Sequence, residues 1–127
     1  MYSLQYHLVW CTKYRKQVLK NGIDAECKKM LYGIAEEYKF KILAMEVMPD
    51  HIHLLLDCKP QFFISDMIKI MKGNLARQLF LSHPELKQEL WGGHLWNPSY
   101  CAVTVSDRSR DLVVAYIEGQ KEKEKRK

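Results

Sequence analysis

His51 and His53 stand two residues apart in the run Met48-Pro49-Asp50-His51-Ile52-His53-Leu54-Leu55-Leu56. Side chains alternate between the two faces of a β-strand, so both imidazoles share one face. Ile52, Leu54 and Leu56 take the opposite face, which reads as the core face beneath helices. His51, His53, Leu55 and Asp57 then share the open face. Imidazoles at i and i+2 on a strand lie close enough to hold one metal ion. The competing reading is two partly buried histidines bonded to backbone or water. Their position on a solvent-facing side favours the metal, because adjacent imidazoles there serve no packing purpose.

A second set of reactive groups is Tyr116-Ile117-Glu118-Gly119-Gln120. Tyr116 and Gln120 are four apart, which places them on one helix face. A phenol becomes a competent oxygen nucleophile when a nearby cation stabilises its phenolate. The Gln120 amide oxygen can serve as a third ligand to a hard cation. The alternative is that Tyr116 simply packs on a sheet with Leu112 and Val113. Gly119 beside it is unusual for a purely packing helix.

The elements that must position these groups follow from periodicity. Residues 2–12 alternate, with Leu4, Tyr6, Leu8 and Trp10 on one face and His7, Val9 and Cys11 on the other, as in a central strand. Asn21-Gly22 breaks the chain. Ile23, Cys27, Met30, Leu31, Ile34, Ala35 and Tyr38 recur at helical spacing. Residues 40–48 and 51–57 form a hairpin about the tight turn Pro49-Asp50. After Pro60, a second helix buries Ile64, Met67, Ile68, Met71 and Leu75, with Gly73 inside it suggesting a close backbone approach. A loop containing Trp91 and Trp96 leads to a fourth strand at 99–105. Ser106 or Asp107 can cap a last helix running from about 108 to the C-terminus. The order predicts an α+β fold: a ferredoxin-like βαββαβ sandwich with an antiparallel sheet, plus a C-terminal helix carrying the tyrosine. Right-handed crossovers put both helices on one face and make the first and third strands the central pair.

The 127 residues suit one domain, and the 47% hydrophobic content is enough for a core and argues against disorder. No apolar run is long enough to span a membrane, and the N-terminus lacks a signal-peptide pattern. Cys11, Cys27, Cys58 and Cys101 are scattered and read as small core residues in a reducing compartment, so the expected location is cytoplasmic. Net charge is +5, of which residues 121–127, with five positive and two negative charges, carry +3. A second basic cluster is Lys13-Tyr14-Arg15-Lys16. The sign favours a polyanionic partner but does not identify one.

The segment Met48 to Leu56 resembles the HUH motif (histidine, hydrophobic, histidine) of the small single-tyrosine transposases of bacterial and archaeal insertion sequences. Tyr6 to Arg15 is similar to that family's first strand, and Lys69 to Phe80 to its second helix. Leu95-Trp96-Asn97-Pro98-Ser99-Tyr100 resembles the run before its last strand, and Tyr116 to Gln120 its tyrosine helix. The resemblance implies that His51, His53 and Gln120 hold one Mg2+ or Mn2+ that polarises a scissile phosphate. It implies that Tyr116 attacks in line, giving a 5′-phosphotyrosine and a free 3′-hydroxyl, with no nucleotide cofactor. It further implies a homodimer acting on single-stranded DNA with hairpins at element ends, with Tyr116 completing the site of its own or the partner chain. Lys13, Arg15, Lys72, Arg77, Arg108 and Arg110 are candidate phosphate contacts, and Tyr14, Trp91 and Trp96 candidate base-stacking residues. Imidazole suits Mn2+, Zn2+ or Ni2+ at least as well as Mg2+. The segment Val105-Ser106-Asp107-Arg108-Ser109 lacks the glycines that family members often carry before the tyrosine helix.

Other readings compete. Replication initiators and plasmid relaxases share the histidine pair and tyrosine but usually add a third histidine and further domains. A domesticated relative acting on repeated chromosomal hairpins would look the same. A non-catalytic single-strand nucleic-acid-binding module can use the same sandwich, although the central strands show no clear aromatic pattern for stacking bases. A zinc hydrolase using His51, His53 and Asp57 is disfavoured, since Asp57 lies about 13 Å along the strand from His53.

Overall fold

A computed structural model of the chain describes residues 4–58, 63–90, 93–106 and 108–121. Four strands, β1 (Leu4–Cys11), β2 (Lys41–Met48), β3 (His51–Cys58) and β4 (Cys101–Thr104), form one sheet in the order β2-β3-β1-β4. Every neighbouring pair is antiparallel. α1 (Ile23–Tyr38) and α2 (Ile64–Ser82) cover one face, with Leu8, Trp10, Ile52, Leu54 and Leu56 beneath them. The expected α+β sandwich is therefore the observed one, with the first and third strands central.

α1 starts where Asn21 (φ 57°) and Gly22 (φ 95°) turn the chain through left-handed conformations that glycine tolerates best. Cys27, Leu31, Ile34 and Ala35 recur at helical spacing and are buried. α2 buries Met67, Ile68, Met71, Leu75 and Leu79 by the same rule. Gly73 does not mediate a close backbone approach: a Cβ placed there would meet the Arg77 guanidinium at 3.8 Å, an ordinary contact. His83, just past α2, bonds Glu26 of α1 at 2.6 Å and Glu85 at 3.3 Å, tying the two helices together.

The second face is partly covered by α4 (Arg110–Glu118). Ile117 is fully buried against Ala44 and Leu55, with Leu43, Val105, Val113 and Val114 around them. Burying one such side chain contributes roughly 1.5–3 kcal/mol. Beyond the helix, the Lys121 ammonium reaches round the β2 edge to Asp24 of α1 at 2.5 Å and Glu46 of β2 at 3.5 Å. Lys28 meets the same Glu46 carboxylate at 3.4 Å. An apolar anchor and an ion-pair cluster thus hold α4 across the sheet.

Several boundaries differ from the sequence expectation. β4 spans only Cys101–Thr104, and a short helix, α3 (Leu86–Glu89), interrupts the loop after α2. Ser109, not Ser106 or Asp107, is the residue flanking α4; the Ser106 hydroxyl instead accepts from the Ser109 N–H at 3.3 Å, forming a turn before the helix. Asp107 itself, Pro60, Trp91 and the charged residues beyond Lys121 lie outside the described residues. α4 ends at Glu118; Gly119 keeps helical φ/ψ and donates its N–H to the Ala115 carbonyl, and a Cβ there would sit 3.1 Å from that oxygen. Cys27 and Cys58 are buried as expected, whereas Cys11 is half-buried and Cys101 exposed. Both of these fall on the second sheet face, which α4 covers only in part. No helix among the described residues is long and apolar enough to cross a membrane.

Two outcomes test this packing. The hydrogen bond His83 donates to the Glu26 carboxylate, and then that carboxylate's charge, raises the His83 pKa above its usual value of 6.5. A raised folded-state pKa means stabilisation that is complete below about pH 6.5 and disappears as pH climbs through the folded value. A partly exposed pair of this kind contributes about 0.2–1 kcal/mol. His83→Gln should therefore lower Tm at pH 5.5 and have little effect at pH 8.5; an equal effect at both would show that the charge is irrelevant. Lys121→Ala should speed amide hydrogen exchange in α4 and leave β1 and β3 unchanged, and unaltered exchange in α4 would contradict the ion-pair anchor.

Candidate active site

The hairpin turn between β2 and β3 is held from two sides. The Asp50 carbonyl accepts from the Thr12 N–H at 2.9 Å, and the Pro49 carbonyl from the Leu19 N–H at 3.0 Å. Thr12 is fully buried at the end of β1. The Asp50 side chain therefore sits on fixed backbone. One carboxylate oxygen lies 2.6 Å from His51 Nδ1 and the other 3.2 Å from Arg15 Nε. Burial would raise the Asp50 carboxyl, but the bond to His51 and the charges of His51 and Arg15 outweigh it and hold the group below the usual carboxylate range. An anionic acceptor at Nδ1 orients the His51 ring and leaves Nε2 for another partner.

His53 lies two residues on, with its ring centroid 4.7 Å from that of His51 and the two planes nearly perpendicular. It is 7% exposed. Burial, followed by the proximity of His51 and His7, lowers its pKa to about 4. The ring is neutral at pH 7, as a metal-binding imidazole must be. His7 arrives from β1, because pairing Val9 with His53 and His7 with Leu55 puts His7 on the same face. Its Nε2 lies 3.3 Å from His53 Nδ1, and the two rings stack with centroids 5.6 Å apart. Burial lowers the His7 pKa as well.

Tyr116 reaches this cluster from α4. Its ring sits edge-on to His53 at 5.8 Å and to His7 at 6.1 Å. Leu112 is 75% exposed and Tyr116 44%, so the tyrosine is not a core side chain packing with its helix neighbours. Ile117, the next residue, provides the packing and leaves Tyr116 at the rim of the histidine cluster. Gln120 is half-buried in the helical turn that resumes after Gly119.

Among the described residues, no three His, Cys, Asp or Glu side chains group to hold a metal ion. Glu46, which pairs across the strands with His53, is engaged by Lys28 and Lys121 instead. Beyond His51 and His53, such an ion would draw on ligands of other kinds, such as amide or carbonyl oxygen and a bound anion. Two fixed imidazoles fit such an ion, with coordination left for a phosphate. Asp57 pairs with Gln5 and Lys41, away from the histidine pair, and does not join it.

The proposed nucleic-acid contacts fall in two places. Lys13, Tyr14 and Arg15 form a turn just after β1, with Tyr14 and Arg15 in left-handed conformations. Tyr14 is 66% exposed, and Arg15, through Asp50, is one step from His51. Arg108 and Arg110 are exposed at the start of α4. Lys72 and Arg77 lie on α2, across the sheet from the histidines. The Lys72 ammonium donates to the Asn97 carbonyl at 2.8 Å, and Arg77 bonds Asn74. Trp96 is buried: its indole N–H donates to the Lys72 carbonyl and its ring meets Trp10 edge-on at 5.9 Å, so it is a packing residue and not an exposed stacking platform.

Sequence reasoning singled out His51, His53 and Tyr116, which the fold brings together. It overlooked His7 and Asp50. The strand alternation that sorted His51 from Ile52 also places His7 opposite Leu8 and Trp10, on the face of the histidine pair. Asp50 was read as a turn former, although its position directly before His51 was a signal for a ring partner.

Comparison with known proteins identifies the family. Residues 1–120 match the family described as "Transposase IS200 like". The chain is 50% identical over 124 residues to the ISDra2 transposase TnpA of Deinococcus radiodurans, spanning 98% of this chain and 89% of that one. It is 27% identical to the transposase of insertion sequence IS200 from Salmonella typhimurium, over 98% of this chain and 81% of the relative. A crystal structure of a candidate transposase from Deinococcus radiodurans R1 superposes with a TM-score of 0.79 at 49% identity, covering 94% of this chain and 92% of the other. The fold also matches a REP-associated tyrosine transposase solved with a REP hairpin, at a TM-score of 0.71 and 15% identity, over 98% of this chain and 70% of that one. This chain, in which α4 lays Tyr116 against His53 and His7 of the antiparallel sheet and which is matched over nearly its whole length, belongs to the IS200-like transposase family.

Proposed function

We propose that this transposase cleaves and rejoins single-stranded DNA at hairpin-bearing ends, with Tyr116 as the nucleophile beside a divalent cation held by His51, His53 and Gln120. The observation that carries the reading is the packing of the Tyr116 ring against His53, one residue before the buried Ile117 that anchors α4. The phenol is thereby held at the rim of two fixed imidazoles.

The steps follow from the chain's own groups. His51 and His53 present ring nitrogens on one face, and Asp50 fixes the first of them. A Mg2+ or Mn2+ ion bound there would supply positive charge to the non-bridging oxygens of a scissile phosphate. The Tyr116 hydroxyl loses its proton and its oxygen attacks phosphorus. The bond from phosphorus to the 3′ oxygen breaks as the new bond forms, leaving a 5′-phosphotyrosine and a protonated 3′-hydroxyl. A 3′-hydroxyl from another end reverses the reaction, so bond energy is conserved and no nucleotide cofactor is needed. Arg15, the half-buried Lys13 and the exposed Tyr14 lie beside the His51 end of the site and suit a DNA strand entering there. Arg108 and Arg110 offer positive charge at the start of the tyrosine helix.

The same reading includes a homodimer working in the cytoplasm. β4 is the sheet's edge, its four residues are exposed, and Val103 is 54% exposed, so this side of the sheet is available to a second copy. Within one chain Tyr116 already meets its own histidines, which supports action in cis; exchange of α4 between copies would give the same contacts in trans.

The test is adduct formation. Single-stranded oligonucleotides carrying the hairpins that flank the gene, incubated with protein and Mn2+ or Mg2+, should give a covalent protein–DNA band on a denaturing gel. Tyr116→Phe should give none, and His51→Ala at least about 100-fold less than wild type. Binding without any adduct in wild type, across substrates and both metals, would favour a non-catalytic nucleic-acid-binding module.

A further inference from the structure

We infer that His7 is a positioning residue for this site: it holds the His53 ring through Nδ1, so that His53 presents Nε2 to the cation, as Asp50 does for His51. This inference rests on the metal site proposed above.

The two ligand histidines need opposite things from their two nitrogens. A nitrogen bound to a metal must offer a lone pair, and the proton of the neutral ring then sits on the other nitrogen. That N–H, inside a buried site, needs an acceptor. For His51 the acceptor is the Asp50 carboxylate at 2.6 Å. For His53, which is more deeply buried, the atom within hydrogen-bonding distance of Nδ1 is His7 Nε2 at 3.3 Å. The His53 N–H donates and the His7 lone pair accepts, with the His7 proton on Nδ1. The rings are nearly parallel, 18° apart, so the contact fixes the plane of His53 as well as its tautomer. Tyr116 closes on both rings edge-on, and His7 thereby also forms part of the seat of the nucleophile.

The two backing groups differ in charge. Asp50 is anionic and makes His51 the stronger donor, whereas His7 is a neutral acceptor. Among the described residues no carboxylate takes the equivalent place behind His53: Glu46, its partner across the strands, is engaged by Lys28 and Lys121. The structure therefore backs the outer ligand with charge and the inner one with an imidazole, which accepts without adding a buried negative charge.

The experiment compares His7→Phe, which keeps a ring but removes the acceptor, with His7→Gln, which keeps an acceptor. Mn2+ affinity of the full chain is measured by isothermal titration calorimetry without DNA, with His53→Ala as the reference for loss of a ligand and Tm recorded for each variant. Wild type should bind Mn2+ and His53→Ala should abolish it. His7→Phe should weaken binding about 10–100-fold, the range for removing a group behind a ligand, and His7→Gln should restore most of it. 15N spectra of the imidazoles should show the His53 proton on Nδ1 in the Zn2+-loaded wild type and a loss of that single tautomer in His7→Phe. Wild-type affinity and an unchanged tautomer in His7→Phe would overturn the role of His7 and leave the metal site standing. Equal Mn2+ binding by wild type and His53→Ala would overturn the metal site and this inference with it.

Discussion

The antiparallel register between β1 and β3 is the constraint on which the rest of this structure depends. It pairs Leu8 with Leu54 and Trp10 with Ile52, filling the core beneath α1 and α2. The same register pairs Val9 with His53 and Cys11 with His51, and so brings His7 to the face of the histidine pair. A slip of one residue would turn every one of these side chains over. The core would then receive the histidines, and the open face would receive leucine, isoleucine and tryptophan. The burial that stabilises the sheet and the clustering that makes the site are thus two sides of one pairing, and neither can drift without the other.

A sheet covered on one face leaves the other with a choice between burial and access, and α4 meets both demands. Ile117 seals Ala44 and Leu55 from water, while the preceding residue, Tyr116, stays at the edge of the covered area with its ring on His53 and His7. Lys121 fixes the far end of the segment to Asp24 and Glu46. Those ion pairs also draw Glu46 away from His53. Among the described residues, Asp50 is the carboxylate bonded to the histidine cluster, an arrangement that suits an incoming polyanion better than an acid-rich metal cage would.

Much of this was legible in the sequence because it depends on alternation and helical spacing, which are local. Ile52, Leu54 and Leu56 announced the core face of β3, and Tyr116 with its neighbours announced a helix with a reactive side chain. The strand order followed from handedness once the elements were known. What escaped was set by contacts distant in sequence. His7 lies 46 residues from His53, and its role depends on which strand β1 pairs with. Lys121 meets Asp24 at a separation of 97 residues. Trp96 could be read from the sequence equally as a base-stacking or a packing residue, and distant contacts decide it: its indole N–H is held by the Lys72 carbonyl and its ring by Trp10. Helix ends were misjudged for a related reason: at Ser106 the hydroxyl closes a turn rather than capping α4, a choice that residue type alone does not decide.

In the proposed reaction one particular tyrosine, among the seven in the chain, attacks the phosphodiester. Peptide mapping by mass spectrometry of the covalent protein–DNA product tests it most directly. After nuclease trimming and trypsin digestion, the nucleotide should be found on the peptide spanning residues 111–121, whose single tyrosine is Tyr116. Attachment at Tyr6, Tyr14, Tyr100 or any other side chain would contradict the account.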